Sequence, residues 1–202
     1  MKKIALAVSV FILSCGAADA GTTGWYAGVN VAASRVNMTE KDLNSGLANI
    51  GVANPSTTLH NTDKSLGVEL GYRMNNHLAV EGAYASLGTF KYEATTPSGP
   101  VSGKYKVGAG SLAAVGLVPF TPNWSIYAKG GFHYNTVDLT ASTKTGNTES
   151  QTGWLAGFGL RYDFDGGLYT RVGLERYAKV GQKGTTGATD IDLLQFAVGV
   201  KF

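Results

Sequence analysis

The chain has little of what many proteins use as covalent staples or metal ligands. Its 202 residues include one cysteine, Cys15, and five prolines. A lone cysteine excludes an internal disulfide framework, and no cysteine and histidine cluster suggests a metal site. No run of 18 apolar residues occurs, so a helical membrane span is excluded. No cofactor is predicted, because no glycine-rich loop joins a strand to a helix.

Charge is also scarce. Charged residues make up 15% of the chain, the net charge is +3, and the basic residues never cluster beyond the pair Lys2-Lys3. A nucleic-acid partner is therefore not predicted. Glycine and aromatic residues are plentiful, with 28 Gly, 10 Tyr, 8 Phe and 3 Trp. Glycine at this level without a collagen period is typical of many strands joined by tight turns.

The first residues have the three parts of a secretory signal peptide. A basic start and an apolar run are followed by the small-residue motif Ala18-Asp19-Ala20. We therefore predict a signal peptide over residues 1–20 and one barrel domain over residues 21–202. The residues before Cys15 weakly resemble a lipoprotein cleavage box, so lipidation of Cys15 remains an alternative to its removal.

The clearest strand pattern lies at the end of the chain, over residues 191–202. Large apolar residues such as Phe196 and Val198 alternate there with small or polar ones such as Gln195 and Ala197. This alternation is typical of a strand that faces lipid on one side and a narrow lumen on the other. We predict eight such strands, at residues 25–34, 65–73, 78–87, 104–118, 124–136, 151–164, 168–177 and 191–202. Less regular alternation over residues 108–111 predicts a bulge in the fourth strand.

Three short turns alternate with four longer loops, predicted at residues 35–64, 88–103, 137–150 and 178–190. The predicted fold is all-β, an eight-stranded antiparallel up-and-down transmembrane β-barrel. We expect the short turns and both termini on the periplasmic side and the loops outside. Two aromatic girdles are expected, Trp25, Tyr72, Trp124, Phe164 and Phe202 at the periplasmic interface and Tyr84, Tyr105, Tyr134 and Trp154 at the outer one.

Six charged residues are expected to face the lumen, namely Glu69, Glu81, Lys129, Arg161, Arg171 and Glu175. Counting from the turn centres places Glu69 near the height of Glu81 and sets Arg161 opposite Arg171. Buried charges need partners, so we predict a cross-lumen ion cluster; separate charges solvated by lumen water are the alternative. Four inward tyrosines, Tyr26, Tyr127, Tyr169 and Tyr177, fill more of the space. A general diffusion pore is therefore not predicted.

Enzymatic residues are not evident. His133-Tyr134-Asn135 occupies a place where lipid-modifying barrels use a His-x-Ser pair, but Asn135 stands where the serine is needed. At the outer rim, four basic residues could contact lipopolysaccharide phosphates or could simply be solvated, namely Lys104, Arg176, Lys179 and Lys183.

Several segments carry a family resemblance. Gly24-Trp25-Tyr26-Ala27-Gly28, Val80-Glu81-Gly82-Ala83-Tyr84 and Val198-Gly199-Val200-Lys201-Phe202 resemble the OmpA-like and opacity-type outer-membrane barrels. The resemblance implies insertion by the outer-membrane assembly machinery, which recognises a terminal aromatic residue such as Phe202. The sequence shows no peptidoglycan-binding domain after the barrel, so tethering to the cell wall is not expected. Ala114 replaces an inward lysine of OmpA, so the ion gate of that protein is not expected to transfer.

The resulting expectation is a non-enzymatic outer-membrane barrel that supports envelope integrity and presents loops for surface interaction, in the manner of an adhesin. Expected partners are outer-membrane lipids, lipopolysaccharide, the assembly machinery and host surface molecules, and we expect a monomer. A small gated channel and a lipid A modifying enzyme are the alternatives.

Overall fold

The computed structural model describes residues 23–41, 44, 56–96, 99–141, 144–181 and 189–202. The expected signal peptide and Cys15 lie outside the described residues, as does Lys183. The strands are β1 Gly24–Val36, β2 Ser56–His60, β3 Thr62–Arg73, β4 Leu78–Thr96, β5 Gly99–Pro119, β6 Trp124–Ala141, β7 Lys144–Asp163, β8 Leu168–Val180 and β9 Thr189–Lys201.

The strands close into an eight-stranded antiparallel barrel, in which β2 and β3 together occupy one strand position. β1 pairs with β3 on one side and β9 on the other, and the pairing of β4 with β5 completes the ring. β2 continues the line of β3 beyond Asn61 and pairs with β4. The first and last strands meet at the seam, where Trp25 and Phe202 exchange backbone hydrogen bonds of 3.1 and 2.8 Å. The predicted eight-stranded barrel is confirmed.

Along the strands, apolar side chains that face outward alternate with small or polar side chains that face the lumen, as a membrane-spanning barrel requires. On β1, Val29 is 52% exposed while its neighbour Asn30 is 7% exposed. On β9, Phe196 and Val198 face outward while Ala197 is buried. The large apolar residues thus form an outer band that meets hydrocarbon, and the small and polar residues line the lumen. Within the described part of the chain, no helix combines the length and the apolar character needed to cross a bilayer.

The two ends of the barrel differ. The turn end carries the three short connections, at residues 74–77, 120–123 and 164–167, together with the β1–β9 seam; the opposite end is the loop end. Predicted girdle residues such as Trp25 and Trp124 are exposed at the turn end. One girdle prediction was wrong, because Tyr105 faces inward and packs against Tyr92 with ring centroids 5.5 Å apart.

Strand lengths divide the barrel into two halves. β4, β5, β6 and β7 contain 19, 21, 18 and 20 residues, whereas β1, β3, β8 and β9 contain 13, 12, 13 and 13. We call β4–β7 the long half and the other four strands the short half. The extra residues of the long half lie at the loop end and form, with β2, a projecting sheet.

The predicted loops at 88–103 and 137–150 were therefore wrong. β4 continues to Thr96 and β5 begins at Gly99, while β6 continues to Ala141 and β7 begins at Lys144. The other two predicted loops also contain strand, since 35–64 includes β2 and β9 begins at Thr189. The outward face of the projecting sheet is polar, with exposed residues such as Lys91 and Lys104. The lipid-facing apolar pattern that predicted the other strands therefore does not continue into this sheet.

The predicted bulge is on the neighbouring strand. Ser86 pairs with Gly108 and Gly88 with Val107, which leaves Leu87 as the extra residue on β4. Gly88 has φ of 125°, a conformation that side chains rarely adopt. The backbone amide of Thr89 donates to Asp63 Oδ2 at 2.6 Å, which fixes the irregular segment. The bulge predicted within residues 108–111 therefore lies one strand away, on β4. The expectation that Ala114 stands at an inward position was also wrong, because Ala114 is exposed on the outer face of β5.

Candidate functional site: the ion cluster of the lumen

Arg171 lies at the centre of an ion cluster that crosses the lumen. The members of this cluster are Glu69, Glu81, Lys129, Arg171 and Glu175. Arg171 Nη2 lies 2.5 Å from Glu69 Oε2, and Nη1 lies 2.7 Å from Glu81 Oε2. The three side chains are each 1% exposed. One guanidinium on β8 therefore joins two carboxylates from β3 and β4 across the barrel.

Lys129 is the second cation of the ion cluster. Its Nζ lies 3.3 Å from Glu81 Oε1 and also pairs with Glu175. Gln195 donates a further hydrogen bond to Glu175. Glu81 therefore bridges the two cations, and the cluster runs without interruption from β3 through β4 and β6 to β8.

Register explains why these residues meet. Gly71 pairs with Glu81, and Glu69 pairs with Ala83, so the two carboxylates are offset by two residues along the strands. They face the same lumen, and the forked guanidinium reaches both. The sequence predicted nearly the same height for the two carboxylates, and the structure places them two residues apart along the strands.

Two tyrosines complete the carboxylate shell. Tyr26 donates its hydroxyl hydrogen to Glu81 Oε2 at 2.9 Å, and Tyr169 donates to Glu69 Oε1 at 2.7 Å. The Tyr26 ring lies so close to Gly71 on the next strand that an added Cβ would overlap it. From the sequence these rings were predicted only to fill space. Their hydrogen bonds depend on the barrel diameter, which strand periodicity does not reveal.

The structure does not bring Arg161 into the ion cluster. Arg161 pairs in register with Arg171, as the turn count predicted. Its guanidinium turns toward the turn end, where Nη2 lies 2.9 Å from Asp163 Oδ1. The same group lies 3.9 Å from the centroid of the Tyr169 ring. Two arginines that are paired on neighbouring strands thus bind different carboxylates, Arg161 binding Asp163 and Arg171 binding Glu69 and Glu81.

Arg161 belongs to a second group, the turn-end cluster of Arg73, Arg161, Asp163 and Lys201. Asp163 accepts from all three cations, with Arg73 Nη1 and Lys201 Nζ each at 3.3 Å. Arg73 also donates to the carbonyl oxygens of Asn75 and Asn76, which fixes the first turn. This cluster was missed from the sequence. Its signal was available, because Arg73 and Asp163 have the same inward parity as Glu69 and Arg161.

Beyond the ion cluster, the loop-end part of the lumen is apolar. We call this region the apolar cap; among its members are Val36, Leu87, Phe90, Val107, Val137, Leu155, Val180 and Ile191. The side chains come from both halves of the barrel and are buried against one another. The lumen is therefore occupied by the apolar cap toward the loop end, and toward the turn end by ion pairs together with a smaller buried apolar group that includes Val115 and Leu117.

His133 is buried in the lumen and is hydrogen-bonded to the backbone of β8. Its Nε2 lies 2.9 Å from the carbonyl oxygen of Ala178, at the place where β8 is irregular. Asn135 accepts from the amide of Gly181 at 3.2 Å and donates to the carbonyl oxygen of Gln151 at 2.9 Å. His133 reaches β8 by lying over Gly153. The two side chains satisfy backbone groups that the irregular strand leaves without ladder partners.

The predicted basic rim is dispersed. Arg176 Nε lies 2.6 Å from Asp192 Oδ1, and both side chains are exposed. Lys179 has φ of 61° at the irregular end of β8, and its backbone amide donates to Asp190 Oδ1. Lys104 is exposed on β5, in the long half. Among the described residues, no group of three or more His, Cys, Asp or Glu side chains could hold a metal ion.

An apolar outer band around a lumen filled by ion pairs defines a transmembrane β-barrel. The family model named outer membrane protein beta-barrel domain matches residues 4–202. The chain belongs to this outer-membrane family. Outer membrane protein A of Serratia marcescens is 29% identical over 212 residues, and that of Klebsiella aerogenes is 27% identical over 207. Each comparison covers 100% of this chain and 56% of the relative, so the chain spans about half the length of the curated relatives it matches.

Solved structures show the same fold. Neisserial surface protein A superposes with a TM-score of 0.59 and 16% identity, covering 89% of this chain and 97% of that one. OprG from Pseudomonas aeruginosa gives 0.55 and 13%, with 90% and 98% covered. Ail, the attachment invasion locus protein of Yersinia pestis, gives 0.52 and 14%, with 89% and 99% covered.

Proposed function

We propose that this chain is a non-enzymatic outer-membrane protein that supports the envelope and presents a binding surface at the cell exterior. The observation that carries the proposal is the projecting sheet. β4–β7 extend past the apolar band, and their outward faces there carry polar residues such as Lys91, Lys104 and Asp138. A paired sheet of this kind holds a stable surface for a partner, unlike a loop that must be ordered on binding.

The proposal includes an orientation. The turn end with both termini faces the periplasm, and the loop end faces outward, as in bacterial barrels with short periplasmic turns. Single cysteines test it, because the only cysteine of the chain lies in the expected signal peptide. In intact cells, a membrane-impermeant maleimide should label Glu93→Cys and spare Asn76→Cys until the outer membrane is permeabilised. The reverse pattern would overturn the orientation.

The proposed partners follow from position. Phe202, exposed at the turn end, is the proposed recognition residue for the assembly machinery. Lys104, Arg176 and Lys179 are proposed to contact lipopolysaccharide phosphates near the outer interface. Host surface molecules are the proposed targets of the projecting sheet. The protein is proposed to act as a monomer, since the closed ring of β1 and β3–β9 satisfies its strand edges within one chain.

A shortened hairpin tests the surface role. Deleting residues 92–103 and closing Lys91 to Lys104 with an Asn-Gly turn removes the tip of the projecting sheet and keeps the register below it. Attachment of bacteria to cultured host cells should fall to the level of cells without the barrel. Detergent sensitivity should stay at the level of the unaltered protein, because the barrel wall is intact. Unchanged attachment would remove the surface role.

Two alternatives make different predictions. A gated channel would give stepwise currents in planar bilayers, which the filled lumen argues against. A lipid A modifying enzyme would need His133 for chemistry, yet this ring is engaged with Ala178 and faces the lumen. The variant His133→Ala should leave the lipid A profile unchanged.

A further inference from the structure

Two neighbouring cavities at the loop end share a wall. The first, inside the apolar cap, has a volume of about 30 Å³ and is bounded by side chains such as Phe90, Val107 and Val137. The second is a wider cleft of about 330 Å³ between the end of β1 and the β2–β3 junction. Val36, Met38 and Leu59 line both spaces. The flexible thioether of Met38, which is only partly buried, is the group whose movement would join them.

The cleft and the cavity differ in chemistry. The cavity is walled almost entirely by apolar side chains, so water inside it would find few hydrogen-bond partners. The cleft is lined by Arg35 and Glu40, which carry opposite charges, and by the amide side chains of Asn37 and Asn61. Its volume falls within the range of small-molecule sites, about 300–1,000 Å³.

Arg35 is available to a ligand. It pairs in register with Asp192, but the carboxylate of Asp192 is engaged by Arg176 and by Asn37. The charge of Arg35 acts on the neighbouring Asp192, but its guanidinium forms no hydrogen bond or ion pair with any of the described residues. Glu40 uses Oε1 to accept from the amide of Leu59 at 3.3 Å, which holds its carboxylate at the cleft.

We propose that the cleft and cavity together bind a small zwitterionic amphiphile, such as an α-amino acid with an unbranched alkyl side chain. Its carboxylate lies against Arg35 and its ammonium group faces Glu40. The end of its alkyl chain passes Met38 into the apolar cavity, whose volume of about 30 Å³ admits roughly one methyl group, and the rest of the chain lies in the cleft. A purely anionic amphiphile fits less well, because Glu40 repels it.

Chain length gives the first test. The probes are norvaline, norleucine, 2-aminoheptanoate and 2-aminooctanoate, titrated into the barrel in lipid nanodiscs and followed by the methyl NMR signals of Met38 and Val36. Affinity should rise about fourfold for each methylene that enters the apolar cavity. The rise should stop once the cavity is filled. Empty nanodiscs measure simple partition into lipid, which has no such limit.

Two variants locate the head and the tail. Arg35→Gln, an exposed change that leaves the fold intact, should weaken norleucine binding about two- to fivefold. Lys64→Gln removes an exposed cation on neighbouring β3 that does not line the cleft, and should change nothing. Val137→Phe fills the apolar cavity and should remove the dependence on chain length while the short-chain affinity remains.

Three outcomes would overturn the proposal. The lining methyl groups could fail to shift at the solubility limit of the longest compound. Affinity could rise with chain length equally in Val137→Phe, which would indicate partition into lipid only. Alkylamines or alkanoates could bind as tightly as the amino acids, which would remove the zwitterionic requirement. The surface role of the projecting sheet is tested by attachment of cells, so it would survive each of these results.

Discussion

The lumen near the turn end and the lumen near the loop end are filled in opposite ways. In the first region Arg171 and Lys129 hold three buried carboxylates, and the outer wall is apolar. In the second, apolar side chains such as Phe90 and Val107 are buried inside, and lysines such as Lys104 lie outside. The outward face of these strands is apolar where lipid surrounds the barrel and polar where water surrounds it.

This comparison shows that the surroundings decide which face of a strand is apolar. β5 shows the change on its outward face, while its inward face carries apolar residues in both regions, with Val107 and Leu117 both buried. Its outward residues are apolar at Leu112 and Val118, and they are lysines at positions 104 and 106. Between them lie Gly108 and Gly110, which leave the outward face without large side chains. A barrel that projects from the membrane therefore needs, on one strand, an outer face that is apolar within the lipid and polar beyond it.

The largest expected effect comes from breaking the charged region. Arg171→Leu leaves Glu69 and Glu81 buried without their shared cation, and should lower the free energy of unfolding by about 3–5 kcal/mol. Urea titration in lipid vesicles measures it. Adding Glu69→Gln and Glu81→Gln to the same chain should recover most of the loss. An Arg171→Leu barrel as stable as the unaltered protein would show that the ion cluster is solvated rather than buried.

The apolar region should respond to volume instead of charge. Leu155 is 1% exposed in the apolar cap, and Leu155→Ala should cost about 2–5 kcal/mol through the cavity that it leaves. The same urea titration applies. Leu155→Met keeps the volume and should lose less than about 1.5 kcal/mol. Equal losses for the two variants would show that packing does not hold this region together.

The outer wall allows a third test of this comparison. Val198 faces hydrocarbon, and Val198→Lys should cost about 2–4 kcal/mol if it lies near the bilayer midplane. Thr58→Lys makes a comparable change on the exposed face of the projecting sheet, opposite Glu93, and should stay within about 0.5 kcal/mol of the unaltered protein. If the two lysines had the same effect on unfolding, the assigned boundary of the membrane would be wrong.

The smallest effect concerns one close contact in the charged region. A Cβ at Gly71 would overlap the Tyr26 ring, so Gly71→Ala should destabilise the barrel by about 1–3 kcal/mol. Gly130 is the matched control, because a Cβ there has no neighbour within 4 Å. Gly130→Ala should leave the urea midpoint unchanged. A loss at Gly130 as large as that at Gly71 would remove the contact as the cause.

The sequence predicted the barrel because lipid imposes a strict alternation, clearest along β9 from Leu194 to Val200. It also predicted six of the inward charged residues, because short turns fix register, as the pairing of Arg161 with Arg171 shows. It failed where the alternation reverses. Apolar residues do alternate there, but they face inward, namely Phe90, Tyr92, Tyr105 and Val107. The predicted strands were therefore shorter than β4 and β5 are in the structure.

Side-chain direction within the lumen was the other failure. Parity places Arg161 and Arg171 on the same inner face, yet it does not say that one guanidinium reaches Asp163 and the other Glu69 and Glu81. That choice depends on which acceptors lie above and below each residue across the barrel. It follows from the closed three-dimensional arrangement of β3, β4, β7 and β8.

Single-channel recording in planar bilayers tests the central claim most directly, namely that paired charges and apolar packing fill the lumen from one end to the other. The unaltered barrel should give no current above the leak of the protein-free bilayer, because the buried ion pairs around Arg171 and the apolar cap fill the lumen. Reproducible stepwise openings of the unaltered protein would contradict the account.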